Sequence, residues 1–510
     1  MNSDPRITKQ PTSRHIPFVT AMPQIGTMLL LFASAAVLEA KKLSSLSALS
    51  NDDIWWHLRT GIWILQNHGV PHSGLFSQSP HLPWSAPSWG YDLLVAFAFR
   101  LLGLRSIPVL LMVFKSAFAA VTFLLAGGLR RRFWPAFALS AAAQYILGGV
   151  QPGPGYCSMI LFAVELLLLY ENRTTRSFRT LFWLPPLFLV WANLDIQFVY
   201  GILLLALFLT ALLLQDLGRR LTVRGLRQGG PTVSLANAGI AATLSGIATI
   251  ITPYFYHLYG VFLASLTSMA NRYLPDFHAM GFRQPRDYVL MLLTMAAFLA
   301  LGLRRSRDPF QIALLSGCAM LSFYAKRDAW FAALAAIAVI AEAIRDTGGT
   351  PDTDDKVVHL RRARNRQLLI ACGLSVVILV LAAALEIPSS NEVLLAKVGQ
   401  GYPVAACNYI RQQHLPQPLF NSYEWGGFLT WYLPEYPVAI DARIDLYDEN
   451  LIAQYFEVMN AEVPYQAYPA MAQARTLLLQ RNSAMGEALG TLPAFRVAFS
   501  DSVAVVLAKP

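Results

Sequence analysis

Charge is what this sequence has least of. Only 14% of its 510 residues are charged and 55% are hydrophobic, whereas an ordinary soluble domain carries roughly 25% charged residues. That shortage excludes a soluble globular chain. Cysteine is also scarce, at four residues. Cys157, Cys318 and Cys372 lie in or beside apolar runs, and Cys407 alone in the terminal stretch excludes a disulfide within it. Walker motif, zinc-ligand spacing, serine-hydrolase elbow and internal repeat are all missing, which removes the nucleotide-driven and zinc-dependent classes those patterns mark.

What is present is a succession of long apolar runs. Residues 25–37, 202–214 and 368–385 approach the ~20 residues that span a hydrocarbon core. The 40 Lys and Arg exceed the 30 Asp and Glu, leaving +10. These cations sit in short clusters between apolar runs, the pattern that orients membrane helices, so no nucleic-acid partner is expected.

If each basic cluster marks the cytoplasmic side, residues 1–21 lie inside as a cytoplasmic N-terminus, and an uncleaved first span covers about 22–41. Arg130, Arg131 and Arg132 then fall inside only if residues 89–102 lie flat on the outer interface and 106–128 return. Further spans are expected near 134–149, 155–170, 180–194, 196–215, 232–252, 287–303, 309–324, 327–344 and 367–386. The count is about eleven, with 346–366 a solvated inner linker. Lys41, Lys42, Lys326 and Arg327 dissent from the rule, and basic residues in outward loops can mark a site for an anionic partner.

The expected fold class is therefore mainly α. It is a polytopic transmembrane helical bundle over 22–387, with a first outer loop at about 42–105, followed by a C-terminal α/β extracytoplasmic domain over 388–510. In that domain, strands are expected at 418–420, 438–440, 476–479, 495–499 and 503–507, the last two as a hairpin. Helices are expected at 450–459, 468–474 and 483–489.

The first outer loop carries the densest chemistry, with Asp52 and Asp53 followed by Trp55, Trp56, His57 and Arg59. Adjacent carboxylates beside a bilayer are costly unless paired, hydrated or used, so they read either as functional groups or as a helix cap. Trp55, Trp56, Trp63, Trp84 and Trp89 read as an interfacial aromatic belt. In the terminal domain, Asp441, Arg443, Asp445 and Tyr447 follow an expected strand, at an edge where α/β sheets place binding residues. They read equally as a local ion pair. A tight turn accounts for Gly426 and Gly427 with fewer assumptions than a close backbone approach.

Several motifs together resemble a known family. The first-loop series is Asp53, Trp55, Trp56, His57, Leu58, Thr60, Gly61, Trp63 and Ile64, then Pro71, Phe76, Ser77, Pro83, Trp84 and Trp89. Trp191, Ala192 and Asn193 follow, then Pro253 and Tyr254, then Asn421, Tyr423, Trp425, Gly426 and Gly427, and finally the Asp441 to Tyr447 motif. With the expected topology, this series resembles a bacterial group within the GT-C superfamily of membrane glycosyltransferases. The resemblance implies transfer of a sugar from a polyprenyl-phosphate donor to a glycan, lipid or protein acceptor, on the outer face of a bacterial inner membrane. Asp53 matches the family's loop aspartate and would be the general base, with Asp52 in reserve. Substrate-binding residues would be His57, Arg59, Trp56, Asn193, Asp195, Lys326, Arg327, Asp441 and Arg443. A divalent metal is possible in the superfamily, and no other cofactor is implied.

The chain departs from the group at three places. Ser88 stands where relatives carry an acid, Leu75 where they often carry Asp, and Leu194 and Asp195 where they often carry His and Gly. Lys326 and Arg327, beside Asp328, read either as a clamp for the lipid phosphate or as a mutually paired cluster. Two other functions fit the same sequence: a transporter or flippase for lipid-linked glycans, and a non-enzymatic glycan-binding membrane protein.

Overall fold

A computed structural model of the protein describes residues 52–128, 133–148, 150, 153–175, 177–220, 234–346, 377, 381, 385, 387–388, 390–443 and 445–509. The expected first span, Lys41 and Lys42, Arg130 to Arg132, the inner linker and most of 367–386 lie outside the described residues, as does the side chain of Asp52.

The helices of the apolar part are α1 (Asp52–Asn67), α2 (Trp89–Leu102), α3 (Ser106–Leu125), α4 (Phe133–Ile146), α5 (Gly155–Thr175), α6 (Phe178–Leu181), α7 (Leu184–Leu194), α8 (Phe198–Arg220), α9 (Leu235–Ile250), α10 (His257–Thr267), α11 (Pro285–Leu303), α12 (Pro309–Tyr324) and α13 (Ala329–Asp346). Among the described residues, four helical stretches are long and apolar enough to cross a membrane: Trp89–Leu125, Gly155–Thr175, Phe198–Gly218 and Pro285–Leu303. Shorter apolar helices occupy Leu235–Ile250, His257–Thr267 and Pro309–Tyr324.

The first stretch is broken as expected. A 3-10 turn at Gly103–Arg105 separates α2 from α3, and Gly103 sits at φ 60. The stretch 180–194 is shorter than expected. Pro185 and Pro186 occupy the first turn of α7, as suits a residue type with no N–H to donate, and its 11 residues rise only about 16 Å.

Helix α13 is the centre of the bundle. Every residue from Trp330 to Val339 is buried, as befits a helix that is apolar all round, and it packs against α11, α12 and α4. On α11 the opposite economy holds. Leu290, Thr294, Ala297 and Leu301 are buried, while Leu292, Met295, Leu299 and Leu303 form an exposed apolar stripe. Such a stripe is a liability in water and is matched by lipid.

The C-terminal part contains α14 (Asn391–Val398), α15 (Val404–Gln412), β1 (Leu419–Asn421), α16 (Tyr423–Tyr432), α17 (Glu449–Met459), α18 (Pro469–Gln473), β2 (Thr476–Gln480), α19 (Ala484–Gly490), β3 (Arg496–Ser500) and β4 (Ala504–Ala508). The sheet order is β1-β2-β4-β3. The first pair is parallel, the others are antiparallel, and β3 and β4 form the expected hairpin. The strand expected at 438–440 is not one. Val438 instead makes an isolated parallel bridge with Ser77 of the first loop, through Val438 N–H to Phe76 O at 3.0 Å and Gln78 N–H to Val438 O at 2.9 Å.

The glycines also differ from expectation. Gly426 and Gly427 lie inside α16 rather than in a turn. A Cβ on Gly426 would stand 2.2 Å from the Ile440 carbonyl oxygen, so its bare backbone lets the 440–441 segment lie directly on the helix.

Candidate functional site

Helix α1 is the hinge of the molecule's architecture, because it packs on α2 on one side and on α16 on another. Trp55 faces α16. It is fully buried, stacks on Trp431 at 4.9 Å, and meets Phe428 and Tyr402 edge-on. Trp56 and Trp84 are buried as well. Trp55 and Trp84 join the first loop to the C-terminal part, and Trp56 packs on Trp84 within the loop; burial corrects the belt reading for all three.

The face toward α2 is built on Gly61. A Cβ there would stand 2.0 Å from the Asp92 carbonyl oxygen, so the helices cross in backbone contact. One turn earlier, His57 Nδ1 lies 2.5 Å from Asp92 Oδ1, both side chains buried. Sequence reasoning missed Asp92 as a partner. Its only signal is an acid near the start of an otherwise apolar helix. Gly61→Ala is expected to push the helices apart, lengthen the His57–Asp92 contact and destabilise the fold by about 1–3 kcal/mol, read as a lowered midpoint of thermal unfolding.

Residues 53, 56 and 57 share one helical face and border a cavity of about 1040 Å³. Asp53 projects into it, open to the cavity but ringed by protein, and Trp56 Nε1 donates to Asp53 Oδ1 at 3.3 Å. Burial raises the Asp53 pKa above the ordinary carboxylate value. His57 and the Trp56 hydrogen bond pull it partly back, and Asp276 and Asp441 push it up again.

Lys326 and Arg327 border the same cavity, as do Arg286, Asp195 and Ser88. They sit on a 3-10 turn between α12 and α13. That turn is tied down by Lys326 N–H to His278 O at 3.0 Å. Arg327 Nε lies 3.6 Å from Asp328 Oδ1, and its guanidinium covers Phe277 at 3.9 Å. The pairing with Asp328 is real, and it leaves both cations on the cavity wall.

Asp195 Oδ2 accepts from Ser158 Oγ at 2.6 Å, and Ser158 Oγ in turn accepts from Trp191 Nε1 at 2.7 Å. Asn193 is outside the cavity lining. Its Oδ1 accepts from Trp89 Nε1 at 3.1 Å, and its Nδ2 donates to the Leu189 and Ile251 carbonyls. It therefore joins helices. Arg59 also points elsewhere, with its guanidinium over Phe76 at 4.8 Å.

The C-terminal motif closes the cavity from another side. Arg443 Nε and Nη2 donate to the Asp441 carboxylate at 2.6 to 3.1 Å, with both side chains buried. The guanidinium lies 4.8 Å from the Trp84 ring centre, and Trp84 Nε1 donates to Asp445 Oδ2 at 3.1 Å. Arg443 and Asp445 border the cavity, whereas Asp441 stands behind them. Burial raises the Asp445 carboxyl to about 6, against the hydrogen bonds from backbone and Trp84 and the charge of Arg443. The loop is held at its middle by Tyr254, whose hydroxyl accepts from Ala86 N–H at 3.1 Å and donates to Pro71 O at 2.7 Å.

Among the described residues no group of three His, Cys, Asp or Glu converges in a way that could hold a metal ion.

No protein-family model matches the chain, and no curated protein matches it by sequence. Solved structures do match. The oligosaccharyltransferase of Archaeoglobus fulgidus, tethered to an acceptor peptide, is 14% identical with a TM-score of 0.51, over 89% of this chain and 69% of that one. The same organism's oligosaccharyltransferase AglB, in complex with an inhibitory peptide and a dolichol-phosphate, is 13% identical with a TM-score of 0.51, over 91% and 70%. ArnT from Cupriavidus metallidurans, bound to undecaprenyl phosphate, is 13% identical with a TM-score of 0.45, over 92% and 97%. By fold, the chain is similar to the two Archaeoglobus fulgidus oligosaccharyltransferase structures.

Proposed function

We propose that this protein is a membrane glycosyltransferase, moving a sugar from a polyprenyl-phosphate-linked donor to an acceptor hydroxyl or amide on the extracytoplasmic side. The observation that carries the reading is one cavity bordered both by the Asp53 carboxylate and by the cations Arg286, Lys326 and Arg327. A negatively charged leaving group needs cations, and a neutral nucleophile needs a base.

In the transfer, Asp53 takes the proton of the acceptor group while its oxygen or nitrogen bonds to the anomeric carbon. The bond from that carbon to the phosphate oxygen breaks, and the electron pair leaves with the polyprenyl phosphate. Lys326 and Arg327 hold that phosphate. Arg327 is preset for the task, because Asp328 and Phe277 fix its guanidinium, and a preset fork of donors loses little freedom on binding.

Asp53 has to be ionised to act as base. Its pKa is raised by burial above 3.8, so transfer is expected to fail, as pH falls, at a higher pH than an ordinary carboxylate would give. A pH profile of kcat/KM, measured on protein in lipid nanodiscs, checks this. An acid limb at or below the ordinary value would contradict the assignment. The reading itself is tested by mass spectrometry of purified protein incubated with polyprenyl-phosphate sugars and an envelope extract. A covalent glycosyl product supports it, and movement of the intact lipid-linked glycan across vesicles without any product would replace it with transport.

A further inference from the structure

Among the carboxylates that border the cavity, Asp445 is placed like Asp53. Asp53 and Asp445 are both open to the cavity, and each accepts a hydrogen bond from an indole N–H, Asp53 from Trp56 at 3.3 Å and Asp445 from Trp84 at 3.1 Å. The two indoles meet edge-on, with ring centres 6.0 Å apart at 77°. One helical turn and a distant loop thus aim two acids into one space through a single aromatic pair.

The second observation concerns Arg443. It is 1% exposed and borders the cavity. Asp441 takes its Nε and Nη2, whereas Nη1 is buried with no hydrogen-bond partner among the described residues. A buried donor left unpaired costs about 1–3 kcal/mol, a cost that an oxygen arriving in the cavity would relieve. Resting on the glycosyltransferase reading, we infer that Asp445 and Arg443 form the acceptor subsite, and that the acceptor is a neutral carbohydrate offering neighbouring hydroxyls.

The charge balance selects that class. Arg443 brings one positive charge against the two carboxylates Asp441 and Asp445, so the subsite is net negative and disfavours a phosphate or carboxylate. A hydroxyl suits both faces, because it donates to Asp445 and accepts from Arg443 Nη1. With one hydroxyl held there, its neighbour is presented to Asp53. Asp445 is in this sense a positioning residue and takes no proton in the reaction.

Asp445→Asn separates this subsite from the rest, since the asparagine oxygen still accepts from Trp84 Nε1. The protein in nanodiscs is titrated with a panel of methyl hexopyranosides and, separately, with undecaprenyl phosphate, with tryptophan fluorescence as the readout. Wild type is expected to bind at least one glycoside saturably. Asp445→Asn is expected to weaken that binding about tenfold or more, with undecaprenyl-phosphate affinity held within about twofold and an unchanged thermal midpoint. Glycoside binding unaffected by Asp445→Asn overturns the inference, as does wild type that binds undecaprenyl phosphate but no glycoside. Failure of wild type to bind either ligand overturns the glycosyltransferase reading itself.

Discussion

Replacing Asp53 with asparagine is expected to lower sugar transfer about 100- to 10,000-fold without lowering thermal stability. Asparagine keeps an oxygen for the Trp56 indole N–H and has nearly the same volume, so the cavity wall survives while the proton acceptor is lost. The stability half follows from the direction of the pKa shift. A carboxyl whose folded-state pKa is raised contributes stability at low pH and loses it as pH rises through that value. At neutral pH the ionised Asp53 is therefore a cost to the fold. Its removal should leave the midpoint of thermal unfolding unchanged or higher, the usual trade between an active group and stability. A variant that transfers sugar at the wild-type rate would remove Asp53 from the mechanism. One that melts much earlier would recast the residue as structural.

The largest stability effect belongs to Arg443. Arg443→Met leaves Asp441 buried, charged and without its guanidinium, and breaking a buried pair from one side costs about 3–5 kcal/mol. The damage reaches the first loop, since Arg443 also packs on Trp84. Adding Asp441→Asn to Arg443→Met removes the stranded charge and keeps an oxygen for the Arg443-position backbone N–H, which Asp441 accepts at 3.0 Å. Most of the lost stability should return in the double variant. Midpoints of thermal unfolding for the single and double variants decide it, and a single variant within about 1 kcal/mol of wild type would show that the pair is not closed to water.

Much of this was legible along the chain, and what was not legible has a common cause. The apolar runs gave the helices, because their composition is local. The terminal strands and hairpin were visible for the same reason. Asp53, Trp56 and His57 could be placed on one helix face by spacing alone, but spacing does not say whether an aromatic residue meets lipid or protein. Trp55 therefore read as a membrane anchor, although its ring lies on Trp431. Gly426 read as a turn because its reason for being glycine, the Ile440 carbonyl, belongs to a later segment. Asp92 read as a blemish in an apolar run because its partner, His57, lies 35 residues earlier. Asn193 and Arg443 were singled out as polar residues with a purpose. For Asn193 the bonds it makes describe a joint between helices, and for Arg443 they describe both a joint and a wall.

The bond from Trp84 to Asp445 joins residues 361 positions apart, and this bears on how the protein comes to exist. A ribosome adding roughly 5–20 residues per second delivers Asp445 some 20–70 s after Trp84. Throughout that interval the segment around Ser77 has no Val438 to pair with, and Trp55 and Trp84 have no C-terminal cover. The growing chain thus carries an incomplete and sticky site while it is being made. Asp53 acquires its enclosed surroundings only once synthesis has passed Asp445, so a product terminated before that point would lack one wall of the cavity.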